Sequence, residues 1–164
     1  MKTGPITTAA GLAGALAATL AVSTGAAAQT SQAEQTKQIA TRFYDALRRG
    51  DVATIRELGD PNYIQHNPAV PTGLDAVIRF FGSRPAPPAG SPPPAPPQYH
   101  MVIAEGDKVM FLQRLPAGPN APAGAERALI DIFRVANGKV AEHWDYMETF
   151  PRGSNPPANS NSPF

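Results

Sequence analysis

The chain has 164 residues, a length typical of one domain, and it contains no cysteine. Its 14 Lys and Arg residues nearly cancel its 13 Asp and Glu residues, and no basic block occurs. This composition excludes disulfides and thiol chemistry and argues against nucleic acid as a partner.

The first segment has the layout of a secretory signal peptide. Lys2 precedes an uncharged run, residues 3–30, that is rich in Ala, Leu and Val. Residues 26–28 are alanines, which suit a cleavage site. The run is only weakly apolar, which argues against a lasting membrane anchor. We expect residues 1–28 to be removed and the mature protein to be exported, to a periplasm or to the exterior, with no stable membrane insertion.

Apolar residues at helical spacing predict three helices in the first half of the mature chain. The first covers residues 31–50, and Ser31 begins its capping box. The second covers residues 51–58, with Asp51 as its N-cap, and ends at Gly59. The third is a short helix over residues 73–82.

A proline-rich run separates the helices from the strands. Eight of the thirteen residues from 85 to 97 are proline, which excludes a helix interior or a central strand. We interpret this run as an extended surface insertion in a domain that covers residues 29–149. Residues 150–164 are mostly Pro, Asn and Ser, and we expect a disordered tail there.

Four strands are predicted after the proline-rich run. Residues 99–105 and 108–115 flank one tight turn, and residues 127–135 and 139–147 flank an Asn-Gly turn. Helices first and a meander of strands last predict an α+β fold. Its helices gather on one face of a strongly curved antiparallel sheet, and the two layers enclose one cavity.

The last hairpin carries polar residues that strand interiors usually avoid: Asp131, His143 and Asp145. A two-residue turn at residues 137–138 would pair Asp131 with Trp144 and would leave the other two polar residues on the opposite face. A three-residue turn would pair Asp131 with His143 and would bring all three to one face.

We favour the three-residue turn, because it lines one side of the sheet as a small-molecule pocket is lined. The pocket face then carries Leu129, Asp131, Phe133, His143, Asp145 and Met147. The other face carries Ile130, Ile132, Val140, Trp144 and Tyr146, an apolar surface that would pack in a homodimer. The alternative is a solvated face on which the acidic residues pair with Arg127 and Arg134.

Three sequence blocks occur together in this chain: YIQHNP at residues 63–68, VIAEGD at 102–107 and DIFRVANGKVAEHWD at 131–145. Through them the chain resembles the SnoaL-like polyketide cyclase branch of the nuclear transport factor 2-like superfamily, over residues 32–149. The resemblance implies a cone-shaped fold, in which about three helices lean on the curved sheet around one deep cavity, commonly in a homodimer.

The resemblance also implies roles for individual residues. In the cyclases of this family, an acidic residue in the last strand is the acid/base of an intramolecular aldol closure, and Asp145 matches that position. Asp131 matches a polar position in the cavity, and Asn67 matches a position at the pocket rim. The proline-rich run and the export signal depart from the cyclase pattern, so the substrate is not carried over.

The residue types support acid/base chemistry. A carboxylate in an apolar pocket is a suitable base, a histidine can supply or relay a proton, and a tyrosine can donate to an oxyanion. The predicted catalytic residues are Asp145, Asp131 and His66. The predicted substrate contacts are Tyr63, Asn67, Phe133, His143 and Met147.

No metal or cofactor is predicted, because His66, His100 and His143 lack any recognised metal-ligand spacing. Two functions remain open. The first is a lyase or isomerase that performs an aldol-type condensation or cyclisation on a small, mostly apolar carbonyl compound. The second is a non-catalytic module that holds a small ligand in the same cavity.

Overall fold

The computed structural model describes residues 13–82, 99–116 and 125–150, with side chains from residue 31 onwards. The described helices are α1 (Ala13–Arg49), α2 (Val52–Leu58) and α3 (Leu74–Gly82). The described strands are β1 (Gly59–Gln65), β2 (Tyr99–Glu105), β3 (Lys108–Leu115), β4 (Glu126–Ala136) and β5 (Lys139–Phe150). The predicted proline-rich insertion and residues 151–164 of the predicted tail lie outside the described residues, whereas Phe150, predicted as the first residue of the tail, is the last residue of β5.

Helix α1 begins earlier than predicted. The sequence predicted a helix start and a capping box at Ser31, but helical backbone already runs from Ala13 through this residue. The preceding residues are rich in alanine, the residue with the highest helix propensity, so they extend the helix and Ser31 is not a cap. Within the described residues, no helix combines the length and the apolar character that crossing a membrane requires.

Helix α2 forms as predicted, between Asp51 and Gly59. The Asp51 carboxylate accepts a hydrogen bond from the Thr54 backbone N–H at 3.1 Å, and its hydrogen bonds with Thr54 lower the pKa of Asp51. Gly59 ends the helix at a point of close packing. A Cβ atom there would overlap the side chain of Leu74, the first residue of α3, and would lie 2.8 Å from the Ile55 carbonyl oxygen. Glycine at position 59 therefore lets α3 pack closely against the end of α2.

The five strands form one sheet in the order β1-β5-β4-β3-β2. Strand β1 runs parallel to β5, whereas the other neighbours are antiparallel, so the sheet is mixed and the prediction of an antiparallel sheet is wrong in this respect. The long connection from β1 to β5 permits the parallel pairing. Pro61 is tolerated in β1 because this strand lies at the edge of the sheet.

The core lies between the three helices and one face of the sheet. The Phe43 ring of α1 lies 5.8 Å from the Tyr63 ring and 6.1 Å from the Phe133 ring, between centroids. None of these three residues is more than 1% exposed. The other large side chains that are almost fully buried are Ile55, Val77, Val109, Phe111 and Val140. This α+β arrangement of three helices on a curved sheet is the predicted fold class.

The β4–β5 hairpin has a register that neither predicted turn gives. Its turn has two residues, Asn137 at φ 52° and Gly138 at φ 74°, and Val135 pairs with Val140. The register then shifts, so that Asp131 pairs with Asp145. The extra residue in β5 is a β-bulge, and it corresponds to position 141.

The bulge produces the predicted shared face by a different route. A two-residue turn alone would separate Asp131 from His143 and Asp145, but the extra residue reverses the alternation of side chains beyond it. The three-residue turn was therefore wrong, whereas the grouping of these three residues on one face is confirmed. Val140 precedes the bulge, so it belongs to the core at 0% exposure and not to the outer face as predicted.

Replacing Gly138 with alanine should destabilise the protein. An L-residue in the left-handed region costs roughly 1–2 kcal/mol, and this cost should appear in the free energy of unfolding. The matched control is Asn137→Gly, which should change stability little, because glycine adopts positive φ freely. Urea denaturation measures both variants, and a Gly138→Ala protein as stable as the parent would contradict this turn geometry.

Candidate functional site

A polar cluster lies on the helix-covered face of β4 and β5. Asp131 and His143 are 3% and 6% exposed, and Asp145 is half-buried. One nitrogen or oxygen atom from each of the three side chains lies within 4.8 Å of the others. The sheet thus brings two carboxylates and one imidazole together, all of them predicted site residues.

Asp131 accepts hydrogen bonds at both carboxylate oxygens. The Tyr44 hydroxyl of α1 donates to Oδ2 at 2.5 Å, and the Gln113 amide of β3 donates to the same oxygen at 2.8 Å. Nε2 of His143 lies 3.0 Å from Oδ1. A buried carboxylate is stable only when its oxygens are paired, and these three groups pair both.

Arg48 fixes the orientation of the Gln113 amide, and thereby which groups around Asp131 donate. Its guanidinium donates to Gln113 Oε1 at 3.3 Å, and arginine can only donate, so the Gln113 amide nitrogen must point the other way. That nitrogen donates to the Tyr44 oxygen at 2.6 Å, which leaves the Tyr44 hydrogen for Asp131. Burial and the Asp131 charge raise the pKa of Tyr44, so its hydroxyl stays protonated.

Asn67 holds the second carboxylate. Its amide nitrogen lies 2.7 and 2.8 Å from the two oxygens of Asp145. Its own oxygen accepts the Ala69 backbone N–H at 2.8 Å, which fixes the orientation of the amide. Among the described residues, Asn67 is the one hydrogen-bond partner of Asp145. The predicted rim residue therefore contacts the predicted acid/base residue directly.

Tyr63 presents a buried hydroxyl close to both carboxylates. The residue is 1% exposed, and its hydroxyl has no hydrogen-bond partner among the described residues. Burial raises the pKa of Tyr63 well above its usual range, and the charges of Asp131 and Asp145 raise it further. The hydroxyl is therefore a protonated donor. Leaving such a group unpaired costs roughly 1–3 kcal/mol, which a ligand oxygen could recover.

Three site residues were not predicted: Gln65, Tyr44 and Gln113. Gln65 Oε1 lies 3.1 Å from Nδ1 of His143, its partner in the β1–β5 register. Period-two alternation could have found two of them, because Gln65 follows the buried Tyr63 on one face of β1, and Gln113 follows the buried Val109 and Phe111 on one face of β3. No comparable local signal separates Tyr44 from its helical neighbours.

His66, a predicted catalytic residue, lies on the outer face of the sheet. Its Nε2 is 2.7 Å from Glu142 Oε1, and its ring stacks on Trp144 at 4.7 Å between centroids. Residues 142 and 144 alternate with the inward-facing residues of β5, so the sheet separates His66 from the polar cluster. The structure does not bring His66 together with Asp131 and Asp145.

Two predicted substrate contacts, Met147 and Phe133, occupy different surroundings. Met147 is 55% exposed, and its sulfur is 3.6 Å from the Arg127 guanidinium. Phe133 is fully buried, and its ring stacks on His143 at 4.5 Å between centroids. Phe133 therefore supports the imidazole from the core.

On the outer face, Glu142 binds His66 and Arg134, whose Nε donates to Oε2 at 2.7 Å. Burial acts to raise the pKa of Glu142, but the hydrogen bonds from His66 and Arg134 outweigh it, so the pKa is lowered. A lowered folded-state pKa contributes stability above the ordinary value of 4.5, and this contribution is lost as the pH falls through the folded-state value.

Glu142→Gln should therefore reduce the free energy of unfolding by about 1 kcal/mol at neutral pH, since a partly exposed charged hydrogen bond is lost. The variant should also lose less stability on acidification than the parent. Chemical denaturation at several pH values measures both effects. Glu148→Gln, an exposed change on the same strand, is the control, and identical pH dependence of parent and Glu142→Gln would contradict the assignment.

The prediction of no metal considered only the spacing of the histidines. It did not consider that Asp131, His143 and Asp145 come together in space. One imidazole and two carboxylates are donor types that also suit divalent cations. In the structure, His143 is hydrogen-bonded to Asp131, and Asp145 is hydrogen-bonded to Asn67. We therefore describe the cluster as a hydrogen-bonded network.

A depression of about 320 Å³ lies elsewhere, where β3 ends and β4 begins. It is lined by Arg114, Leu115, Pro116, Ala125 and Glu126. It contains none of the clustered polar groups, so the chemistry favours the Asp131 face as the site.

The sequence matches the model of the SnoaL-like domain over residues 40–143, which is more than half of the chain. The chain therefore belongs to the SnoaL-like family, as the three sequence blocks indicated. No curated protein matches it.

Solved structures share the nuclear transport factor 2-like fold. A ketosteroid isomerase candidate from Kribbella flavida is 18% identical with a TM-score of 0.55, over 78% of this chain and 86% of that one. A nuclear transport factor 2-like protein of unknown function from Burkholderia xenovorans is 16% identical with a TM-score of 0.53, over 77% and 91%. An LEH-like epoxide hydrolase from M. tuberculosis is 16% identical with a TM-score of 0.51, over 71% and 84%. At these identities the likeness establishes the fold alone.

Proposed function

We propose that the protein is a lyase or isomerase that needs no cofactor, acts on a small, mostly apolar carbonyl compound and uses Asp145 as its acid/base. The observation that carries this proposal is that the two carboxylates of the polar cluster differ in burial and in hydrogen bonding. Asp131 is buried and accepts from three groups, whereas Asp145 is half-buried and accepts from the Asn67 amide. Asp145 is thus the carboxylate that is free to exchange a proton with a ligand.

The reaction begins with proton transfer to Asp145 from the carbon next to the substrate carbonyl. The electron pair of the broken C–H bond forms an enolate, and the Tyr63 hydroxyl donates a hydrogen bond to its oxygen. In an isomerisation, Asp145 returns the proton to a different carbon. In an aldol closure, the enolate carbon bonds to a second carbonyl carbon, and the proton goes to the new alkoxide oxygen.

A ligand-binding module is the second candidate, since the SnoaL-like fold supports either function. The observation in its favour is the extent of internal pairing around Asp131. Tyr44, Gln113 and His143 all bind this carboxylate, as expected of a rigid lining that only holds a ligand.

The two candidates differ in what Asp145→Asn should do. For an enzyme, the substitution should lower kcat by about 10²–10⁴-fold, the usual contribution of a general acid/base, while ligand affinity is kept. The assay uses a panel of β-dicarbonyl and polyketide-like compounds and follows product formation. Glu148→Gln on the same strand is the matched control and should leave kcat unchanged. Tight binding without turnover of any compound, unaffected by Asp145→Asn, would favour the binding module.

We also propose that two copies pair through the outer face of the sheet. Two apolar rows cross this face: Ile103, Met110, Ile132 and Trp144 in one, and Met101, Leu112, Ile130 and Tyr146 in the other. Ile103, Met101 and Tyr146 are 52%, 44% and 63% exposed, which leaves an apolar surface that a second copy would cover. Sedimentation should give a dimer, and Ile103→Asp should weaken it.

Export is proposed from the first segment alone. Lys2, the uncharged run and the alanines at residues 26–28 have the order of a signal peptide. Cell fractionation with N-terminal sequencing of the mature protein should find Gln29 as the first residue. Retention of the intact N-terminus in the cytoplasm would contradict export.

A further inference from the structure

The hydrogen bonds of Gln65 restrict the protonation of His143. Gln65 Oε1 accepts the Asn67 backbone N–H at 3.0 Å, and a backbone N–H can only donate, so this atom must be the amide oxygen. The same oxygen lies 3.1 Å from Nδ1 of His143. Because a carbonyl oxygen only accepts, Nδ1 must carry a hydrogen and donate it.

The other ring nitrogen faces an acceptor too. Nε2 of His143 lies 3.0 Å from Oδ1 of Asp131. If the ring were neutral with its hydrogen on Nδ1, a nitrogen lone pair would point at a carboxylate oxygen, and the two would repel. A hydrogen must therefore lie between His143 and Asp131.

That hydrogen belongs to the imidazole. Oδ2 of Asp131 accepts from both Tyr44 and Gln113, and donors of this kind favour the charged carboxylate. Imidazole is also intrinsically more basic than a carboxylate. The ring of Phe133 stacks on His143 with 21° between the planes, a contact that suits a cation.

We propose that His143 is an imidazolium held between Asp131 and Gln65, and that Gln65 is the positioning residue that imposes this state. The groups around the ring are Gln65 of β1, Asp131 and the stacked Phe133 of β4, and Asp145 of β5, and Tyr44 and Gln113 bind the other oxygen of Asp131. The positive ring offsets the second carboxylate, so Asp131 and Asp145 can share one site.

The consequence for turnover rests on the proposed function. When Asp145 takes a proton, negative charge moves to the substrate oxygen, within a site whose fixed cation is His143. The cation then stabilises the enolate together with the Tyr63 hydroxyl. The state of His143 itself can be measured without any substrate, so it is tested separately from catalysis.

The direct test is nitrogen NMR of ¹⁵N-histidine-labelled full-length protein carrying His66→Gln and His100→Gln, which leaves His143 as its single histidine. At neutral pH and with a chelator present, both ring nitrogens should carry a hydrogen. A ring with an unprotonated Nε2 would overturn the proposal. Addition of Zn²⁺ or Mn²⁺ is a second arm, and stoichiometric binding that removes the Nε2 hydrogen would overturn it as well, because the site would then be a metal site.

Variants of Gln65 test its positioning role. Gln65→Leu removes the acceptor, so the Nδ1 hydrogen signal should be lost, whereas Gln65→Glu supplies an acceptor and should restore it. Gln38→Leu, an exposed glutamine change on α1, is the control and should leave both signals in place. Retention of both hydrogens in Gln65→Leu would overturn the role of Gln65. The spectrum of the parent decides the state of His143 even if Gln65→Leu does not fold.

The kinetic test applies if a substrate is turned over. Gln65→Leu should lower kcat roughly tenfold or more with little change in KM, as loss of a histidine-orienting group does, and Gln65→Glu should recover part of it. A doubly protonated ring without any turnover would uphold the state of His143 and refute the proposed function. Turnover together with an unprotonated Nε2 would support the proposed function and would overturn the proposed state of His143.

Discussion

The site depends on the β-bulge at position 141 of β5. The Asn137-Gly138 turn sets the pairing of Val135 with Val140, which keeps Val140 in the core. The extra residue then reverses the alternation of the strand, so that every residue beyond it changes face. Without this reversal, His143 and Asp145 would point away from Asp131, and the helix-covered face would hold one carboxylate without its imidazole.

Three side-chain amides of fixed orientation determine which groups of the site donate hydrogen bonds and which accept them. Gln65, Asn67 and Gln113 are each fixed by a group that can only donate: a backbone N–H for the first two and the Arg48 guanidinium for the third. The donors and acceptors of the neighbouring side chains follow from these three orientations. The polar core thus has one consistent arrangement of hydrogens, which is the condition under which a buried network stabilises a single structure.

The same network makes two chemically identical side chains unequal. Asp131 is enclosed and paired on both oxygens, whereas Asp145 is held at one amide and reaches the half-buried edge of the cluster. Environment and not residue type distinguishes a structural carboxylate from a reactive one. This inequality, more than membership of the SnoaL-like family, supports an acid/base role, because related folds carry many functions.

The sequence by itself determined the local elements. Asp51 and Gly59 set the ends of α2, and the Asn137-Gly138 dipeptide set the position of the last turn although not its predicted length, since caps and turns depend on neighbours along the chain. The three sequence blocks also indicated the family and most of the polar site: Tyr63, Asn67, Asp131, His143 and Asp145.

Only the tertiary structure decided what depends on distant pairing. The bulge, the parallel pairing of β1 with β5 and the position of His66 on the outer face all follow from strand registers that no local pattern encodes. Tyr44 joins Asp131 across 87 positions of sequence, through the packing of α1 on the sheet. The sequence supplied the polar groups, and the sheet register decided which of them meet, because side chains from separate strands become neighbours only when the backbones pair.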